Sequence, residues 1–387
     1  MKRLFLSLAV IAAALTACNQ IDNPAVEEDE GGHLYVELRG APVVTKADVT
    51  PLPSEVLLKD TQVFVFNDDE EKTLYRKETV TGDQKTIDIP HVKAGNYTVV
   101  AVSNYGSLSS DDAAGNLSPR NRADLDAAVI TLGMCDPTNC FVMYGATDGV
   151  VTVNANSGSS SSTTASATKA PITLQRFAVR VRLVEVENKI PTAYGDLRLD
   201  YMFLANAYGT WVLNPAASSP AAKPTEPVNW GGRLKGRSAD QVSRTNVQAA
   251  IRSASDAMYY NSTFSALGLR VPQTQTLKVE QPLYSLPNPT ERSQDNFNGA
   301  LQETTPACLR LVLHATFDAN PDKSFYYPVT IIGTGDTPVV RNTTYDVRMT
   351  IRGEGVFDPN EEPKYGNMSV EVTVEPWSDG GDIPKEF

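Results

Sequence analysis

Period-two alternation of apolar and polar residues most constrains what this chain can fold into. Tyr345, Val347, Met349 and Ile351 share one face, while Asp346, Arg348, Thr350 and Arg352 take the other, as in a half-buried strand. Leu309, Leu311, Leu313, Ala315 and Phe317 repeat the pattern, with Arg310, His314 and Thr316 opposite. His314 is therefore read as a side chain on the less apolar face of a strand. Val370, Val372 and Val374 alternate with Glu371 and Thr373 until Pro376 ends the run. Phe177, Val179, Val181 and Leu183 share a face, and the pattern then flips to Val184 and Val186. That flip predicts a bulge near Leu183-Val184, and Arg176, Arg180 and Arg182 read as a solvated strand face. Val63-Phe64-Val65-Phe66 is apolar throughout, which predicts a strand buried on both faces. Ile87 to Pro90, Ala94-Gly95-Asn96 and Tyr97 to Val102 read as strand, turn, strand.

Helix is scarce. Ser118-Pro119 is placed to cap a short helix carrying Leu125, Ala128, Val129 and Leu132. Val247, Ile251, Ala254 and Met258 follow helical spacing in a second short segment. No internal repeat recurs at a fixed period. The tract from Asn154 to Lys169 is mostly Ser, Thr, Ala and Gly and supplies no core, so a domain boundary is expected near it. The expected fold is all-β, two tandem antiparallel β-sandwich domains with few short helices, over residues 47–170 and 171–387.

The first residues read as an export signal. Met1-Lys2-Arg3 is basic, Leu4 to Ala17 is an apolar run, and Leu15-Thr16-Ala17-Cys18 closes it. That run is too short to cross a bilayer core of roughly 30 Å as a helix, and its layout is that of a secretory signal over residues 1–17. Small residues before Cys18 resemble a bacterial lipobox, which makes Cys18 the expected lipidation site and the outer membrane the expected first anchor. Asn19 to Gly32, with Glu27-Glu28-Asp29-Glu30, reads as an acidic tether.

Composition and the remaining motifs exclude more than they assign. With 34 basic and 46 acidic residues the net charge is −12, which argues against nucleic acid as a partner. Three scattered histidines, His33, His91 and His314, give no metal centre. No phosphate-binding loop, nucleophile elbow or zinc-protease motif is present. Asp68-Asp69-Glu70-Glu71 lacks calcium-loop spacing and reads as a solvated turn. No catalytic residue, metal or cofactor is expected, and the chain reads as a non-enzyme. Cys135 and Cys140 flank a four-residue loop and form a candidate local disulfide in an oxidising compartment. Cys308 reads as a core thiol.

From Val63 onward the order of segments resembles the fimbrillin family of Bacteroidales surface pili. The matching pieces are Val63 to Asn67, Ala94 to Asn104, Arg176 to Val181, Tyr326-Tyr327-Pro328-Val329, Arg341 to Val347, Ile351 to Gly355, and Val370 to Trp377. The resemblance implies two transthyretin-like sandwiches, export as a lipoprotein, and cutting by a trypsin-like protease after Arg or Lys. Cutting removes the first strand, and a strand from another copy or a related fimbrial subunit fills the groove.

The residues allow that scheme to be laid onto the chain. Leu34, Val36 and Leu38 alternate with Tyr35, Glu37 and Arg39, so a removable strand is expected within residues 18–46. Lys46-Ala47 is the expected processing site, with Arg39 as the fallback. Losing three buried apolar side chains forfeits roughly 1.5–3 kcal/mol each and leaves an open edge that favours strand addition. Head-to-tail addition leaves a free end, so the product is a filament. Val370 to Glu375 is a better strand than the Gly- and Asp-rich Ser378 to Phe387. The leading function is a cell-surface fimbrial subunit supporting adhesion. The alternative is a pilus anchor or glycan-binding surface lipoprotein that keeps its lipid, with Trp211, Trp230 and Tyr259-Tyr260 as aromatic candidates.

Overall fold

The protein is described by a computed structural model over residues 31–40, 53–105, 115–135, 137, 140–155, 167–208, 210–214, 216, 227–228, 264–295, 307–357, 359 and 361–376. Strands dominate it. The first half holds β1 (Gly32–Gly40), β2 (Asp60–Asn67), β3 (Leu74–Thr81), β4 (Thr86–Val92), β5 (Gly95–Ser103), β6 (Val129–Thr131), β7 (Met143–Ala146), β8 (Val151–Val153) and β9 (Thr168–Arg176). The second half holds β10 (Val179–Asn188), β11 (Leu197–Ala205), β12 (Ala207–Tyr208), β13 (Thr210–Val212), β14 (Pro227–Val228), β15 (Phe264–Val271) and β16 (Thr276–Ser285). It ends with β17 (Arg310–Phe317), β18 (Asn320–Thr330), β19 (Thr343–Ile351) and β20 (Met368–Pro376). Among the described residues the α-helices are the short α1 (Pro53–Val56) and α2 (Arg122–Asp126). The cap of α2 is Asn121, whose Oδ1 accepts from Asp124 N at 2.9 Å, and not Ser118.

One sheet makes the first sandwich. Its order is β3-β2-β5-β7-β9-β1-β4, with β8 beside β5. The turn between its layers falls at β7–β9, where only Met143↔Arg176 and Tyr144↔Gln175 pair. A Cβ on Gly145 would lie 2.5 Å from Ile172 Cγ2 and from Thr173 O, so glycine is what lets β7 cross β9 so closely. The expected strand-turn-strand at residues 87–102 is present, but its arms go to different layers. β4 pairs with β1, while β5 pairs with β2, β7 and β8.

The second sandwich packs the sheet β16-β10-β19-β20 on β15-β11-β17-β18. The bulge expected near Leu183-Val184 is there: the register of β10 with both neighbours shifts between Leu183 and Glu185. The sandwiches are not purely antiparallel. β1 runs parallel to β9, and β10 runs parallel to β19. Each of these strands opens its own sandwich, and each has an antiparallel partner on its other side, β4 for β1 and β16 for β10. β1 and β10 therefore occupy the same topological slot. The boundary expected at 170/171 falls inside β9. Ala170, Ile172 and Leu174 all pack in the first core, and β9 runs on to Arg176.

Val63-Phe64-Val65-Phe66 is fully buried on both sides, as its pattern requires. Val63 and Val65 join the first core with Leu34, Val36 and Ile87, while Phe64 and Phe66 join a larger core that runs into the second sandwich. β13 crosses over to pair with β6, setting Trp211 opposite Ile130. The two sandwiches thus share apolar packing and a short sheet.

Candidate functional site

β1 is an interior strand with two neighbours. Along β9 the register is Leu34↔Thr168, Val36↔Ala170 and Leu38↔Ile172; along β4 it is Leu34↔Ile89 and Val36↔Ile87. Leu38 N also donates to Lys85 O at 2.7 Å. Leu34, Val36 and Leu38 are buried and belong to one core cluster with Ile87, Ile89, Ala170 and Ile172. Alternation puts all three on one face, as expected from sequence. Removing β1 would open a slot bounded by two strands and floored by that core.

The outward face is held differently. His33 Nδ1 lies 2.9 Å from Asp88 Oδ1 of β4, and its ring stacks on Tyr35 at 6.0 Å. Lys169 Nζ of β9 lies 2.9 Å from Glu37 Oε1, and Arg39 Nη2 donates to Glu37 Oε2 at 2.9 Å. The hydrogen bond from Lys169, joined by that from Arg39, holds the Glu37 carboxyl below its ordinary 4.5 despite partial burial. These are half-exposed contacts of small worth individually.

Arg39, the fallback cutting site, lies within β1 opposite Thr173, so a cut there would fall inside the sheet. Lys46 and Ala47 lie outside the described residues, as does Cys18. In α1 Glu55 is buried. Arg180 Nη1 of β10 donates to Glu55 Oε1 and Oε2 at 3.2 and 3.1 Å, and Tyr284 Oη of β16 donates to Oε1 at 2.8 Å. Arg176 Nε donates to the Glu55 carbonyl at 2.6 Å. The segment behind β1 is thereby fastened to the second sandwich.

Arg176, Arg180 and Arg182 are accordingly not a solvated face. Arg176 is 1% exposed, and Arg182 Nε donates to Asp346 Oδ1 at 2.9 Å. Their partners lie over 100 residues away in the chain for most of these bonds, 125 for Arg180 and Glu55, so no local pattern announces them. His314 does lie on the face opposite the core, but that face is covered as well. Its ring stacks on Tyr201 at 4.2 Å, and Nδ1 is 2.9 Å from Asp200 Oδ2.

Cys135 and Cys140, the candidate disulfide pair, are both buried, as is Cys308. Cys135 packs into the larger apolar core. Cys140 adopts φ 66° and feels Lys59 and Asp60 instead, so the two side chains serve different surroundings. Trp211 is buried between the sandwiches and presents no platform, while Trp230 and Tyr259-Tyr260 lie outside the described residues. Among the described residues, no group of three His, Cys, Asp or Glu side chains is placed to hold a metal, and no helix is long and apolar enough to cross a membrane.

Known proteins share this architecture. Residues 41–176 match the family described as Major fimbrial subunit protein (FimA). The fimbrilin FimA of Porphyromonas gingivalis W83 has the same fold at a TM-score of 0.59 and 15% identity, over 91% of this chain and 99% of that one. A candidate cell adhesion protein from Bacteroides eggerthii DSM 20697 gives 0.59 at 15%, over 90% and 96%. One from Parabacteroides distasonis ATCC 8503 gives 0.57 at 17%, over 91% and 99%. No curated protein matches in sequence. The likeness expected from the sequence is therefore found in part of the chain: residues 41–176, ending where β9 ends, match the FimA fimbrial subunit model, and the fold is that of a solved fimbrilin.

Proposed function

We propose that this chain is a structural subunit of a cell-surface fimbria, exported as a lipoprotein and supporting adhesion. A Lys- or Arg-directed protease cuts after Lys46, β1 leaves, and a strand of a neighbouring subunit enters the slot. The observation that carries this reading is the position of β1. It is a complete interior strand whose apolar face is buried, and the segment that follows it contains Lys46-Ala47. Its departure leaves unpaired edges on β9 and β4 beside an apolar floor, which favours strand addition. Each addition leaves a free end, so growth is linear.

N-terminal sequencing of protein sheared from cells, beside an unboiled gel, tests the reading. A start at Ala47 with a ladder of high-mass bands is the expected result. A blocked, lipid-bearing Cys18 and a single band would instead make the chain an anchor or surface-binding lipoprotein.

A further inference from the structure

Apolar alternation fixes which face of an incoming strand points inward, but leaves registers two residues apart equivalent. Leu34, Val36 and Leu38 are of similar size, so the floor of the slot discriminates weakly among them. The rim is different. Asp88 on β4 and Lys169 on β9 both stand opposite Tyr35 in register, one on each side of β1. From there they diverge: Asp88 reaches back to His33, and Lys169 reaches forward to Glu37. When β1 leaves, both charges lose these partners.

We propose that Asp88 and Lys169 form a register key for the strand that replaces β1. The partner is an extended segment of a neighbouring subunit with a basic or hydrogen-bond-donating side chain on its outward face and an acid four residues later. A slip by two residues toward higher numbers brings Arg39 to the Glu37 position, beside Lys169, and Tyr35 to the His33 position, beside Asp88. In β1 itself that slip would also put Gly40 at the Leu38 position; in an entering strand whose apolar alternation runs on further, the apolar contacts survive the slip, whereas the charge pairing does not. The key rests on the reading of the slot as a strand-exchange site.

The test uses the full chain cut by trypsin behind β1, with labelled peptides chased into the slot. One peptide copies Gly32–Gly40; a second carries H33E and E37K, which leaves the apolar face unchanged. The native peptide is expected to bind roughly three- to tenfold more tightly, the scale of two exposed pairs exchanged for like-charge contacts. In the D88K/K169E protein, checked for an unchanged melting temperature, the preference should invert. Equal binding of both peptides to both proteins overturns the key and leaves strand exchange standing. Failure of either peptide to enter, even when the cut β1 fragment has been released by mild denaturant, overturns both.

Discussion

Glu55 and Arg180 join the segment behind β1 to the first strand of the second sandwich, through two bonds of 3.2 and 3.1 Å in a buried site. Tyr284 completes the site from β16. A cut in the segment between β1 and α1 leaves this fastening in place, so β1 can leave without drawing β2 after it. Glu55→Ala should destabilise the chain by about 3–5 kcal/mol, because it strands a buried guanidinium. The double variant E55L/R180M should recover much of that loss, since an apolar pair of similar volume needs no compensation. Urea denaturation measures both. A loss under about 0.5 kcal/mol for Glu55→Ala, the scatter of an ordinary surface change, would remove the fastening from the account.

The strands themselves were legible because their faces differ in polarity: β17, β19 and β20 follow the alternation residue by residue, and the bulge in β10 shows as a phase flip. What was illegible is what depends on distant partners. Arg180 and Arg182 look like a wet face because Glu55 and Asp346 are far away in sequence, and only the parallel pairing of β10 with β19 sets Arg182 beside Asp346. Parallel pairing leaves no local signature of its own. Strand β1, by contrast, was visible in Leu34, Val36 and Leu38, since its burial needs only the alternation. The rim residues Asp88 and Lys169 carry no pattern that marks them.

β1 and β10 share a topological slot but not a fastening, which predicts which one can be extracted. β10 is held by buried arginines, whereas the ion pairs on the outward face of β1, on either side of a buried Tyr35, are half-exposed. After trypsin cuts behind β1, mild urea should release the β1 fragment while the body stays folded. Leu34→Ala should lower the urea needed, on the scale of about 2–5 kcal/mol for a fully buried leucine. Size-exclusion chromatography with mass spectrometry reads the release. Unfolding of the whole chain in one step, with no prior loss of the fragment, would mean that β1 is integral to the fold.

Retention of the cut fragment should also depend on pH. Docking lowers the Glu37 pKa below 4.5, chiefly through the hydrogen bond from Lys169, so docked Glu37 binds its proton more weakly than free Glu37. Its contribution is therefore present above 4.5 and is lost as the pH falls through the lower docked value. Dissociation of the fragment should accelerate in that acid window, and Lys169→Ala should flatten the profile there. An identical profile in both proteins would show that Lys169 does not act through Glu37.

The three buried thiols give a chemical check on the cores. Burial, with the nearby Asp295, pushes the Cys308 thiol up to about 12, and burial also raises Cys140. Cys135 sits in apolar packing with Leu132 and Phe141. Alkylation needs the thiolate and access to it; burial denies access to all three, and it raises the Cys140 and Cys308 thiols as well. Iodoacetamide should therefore leave Cys135, Cys140 and Cys308 unlabelled in the folded protein. It should label all three after unfolding in guanidinium without reductant, the expected outcome for three separate thiols. Peptide mapping distinguishes this from the bridged alternative, in which Cys135 and Cys140 stay unlabelled until reductant is added.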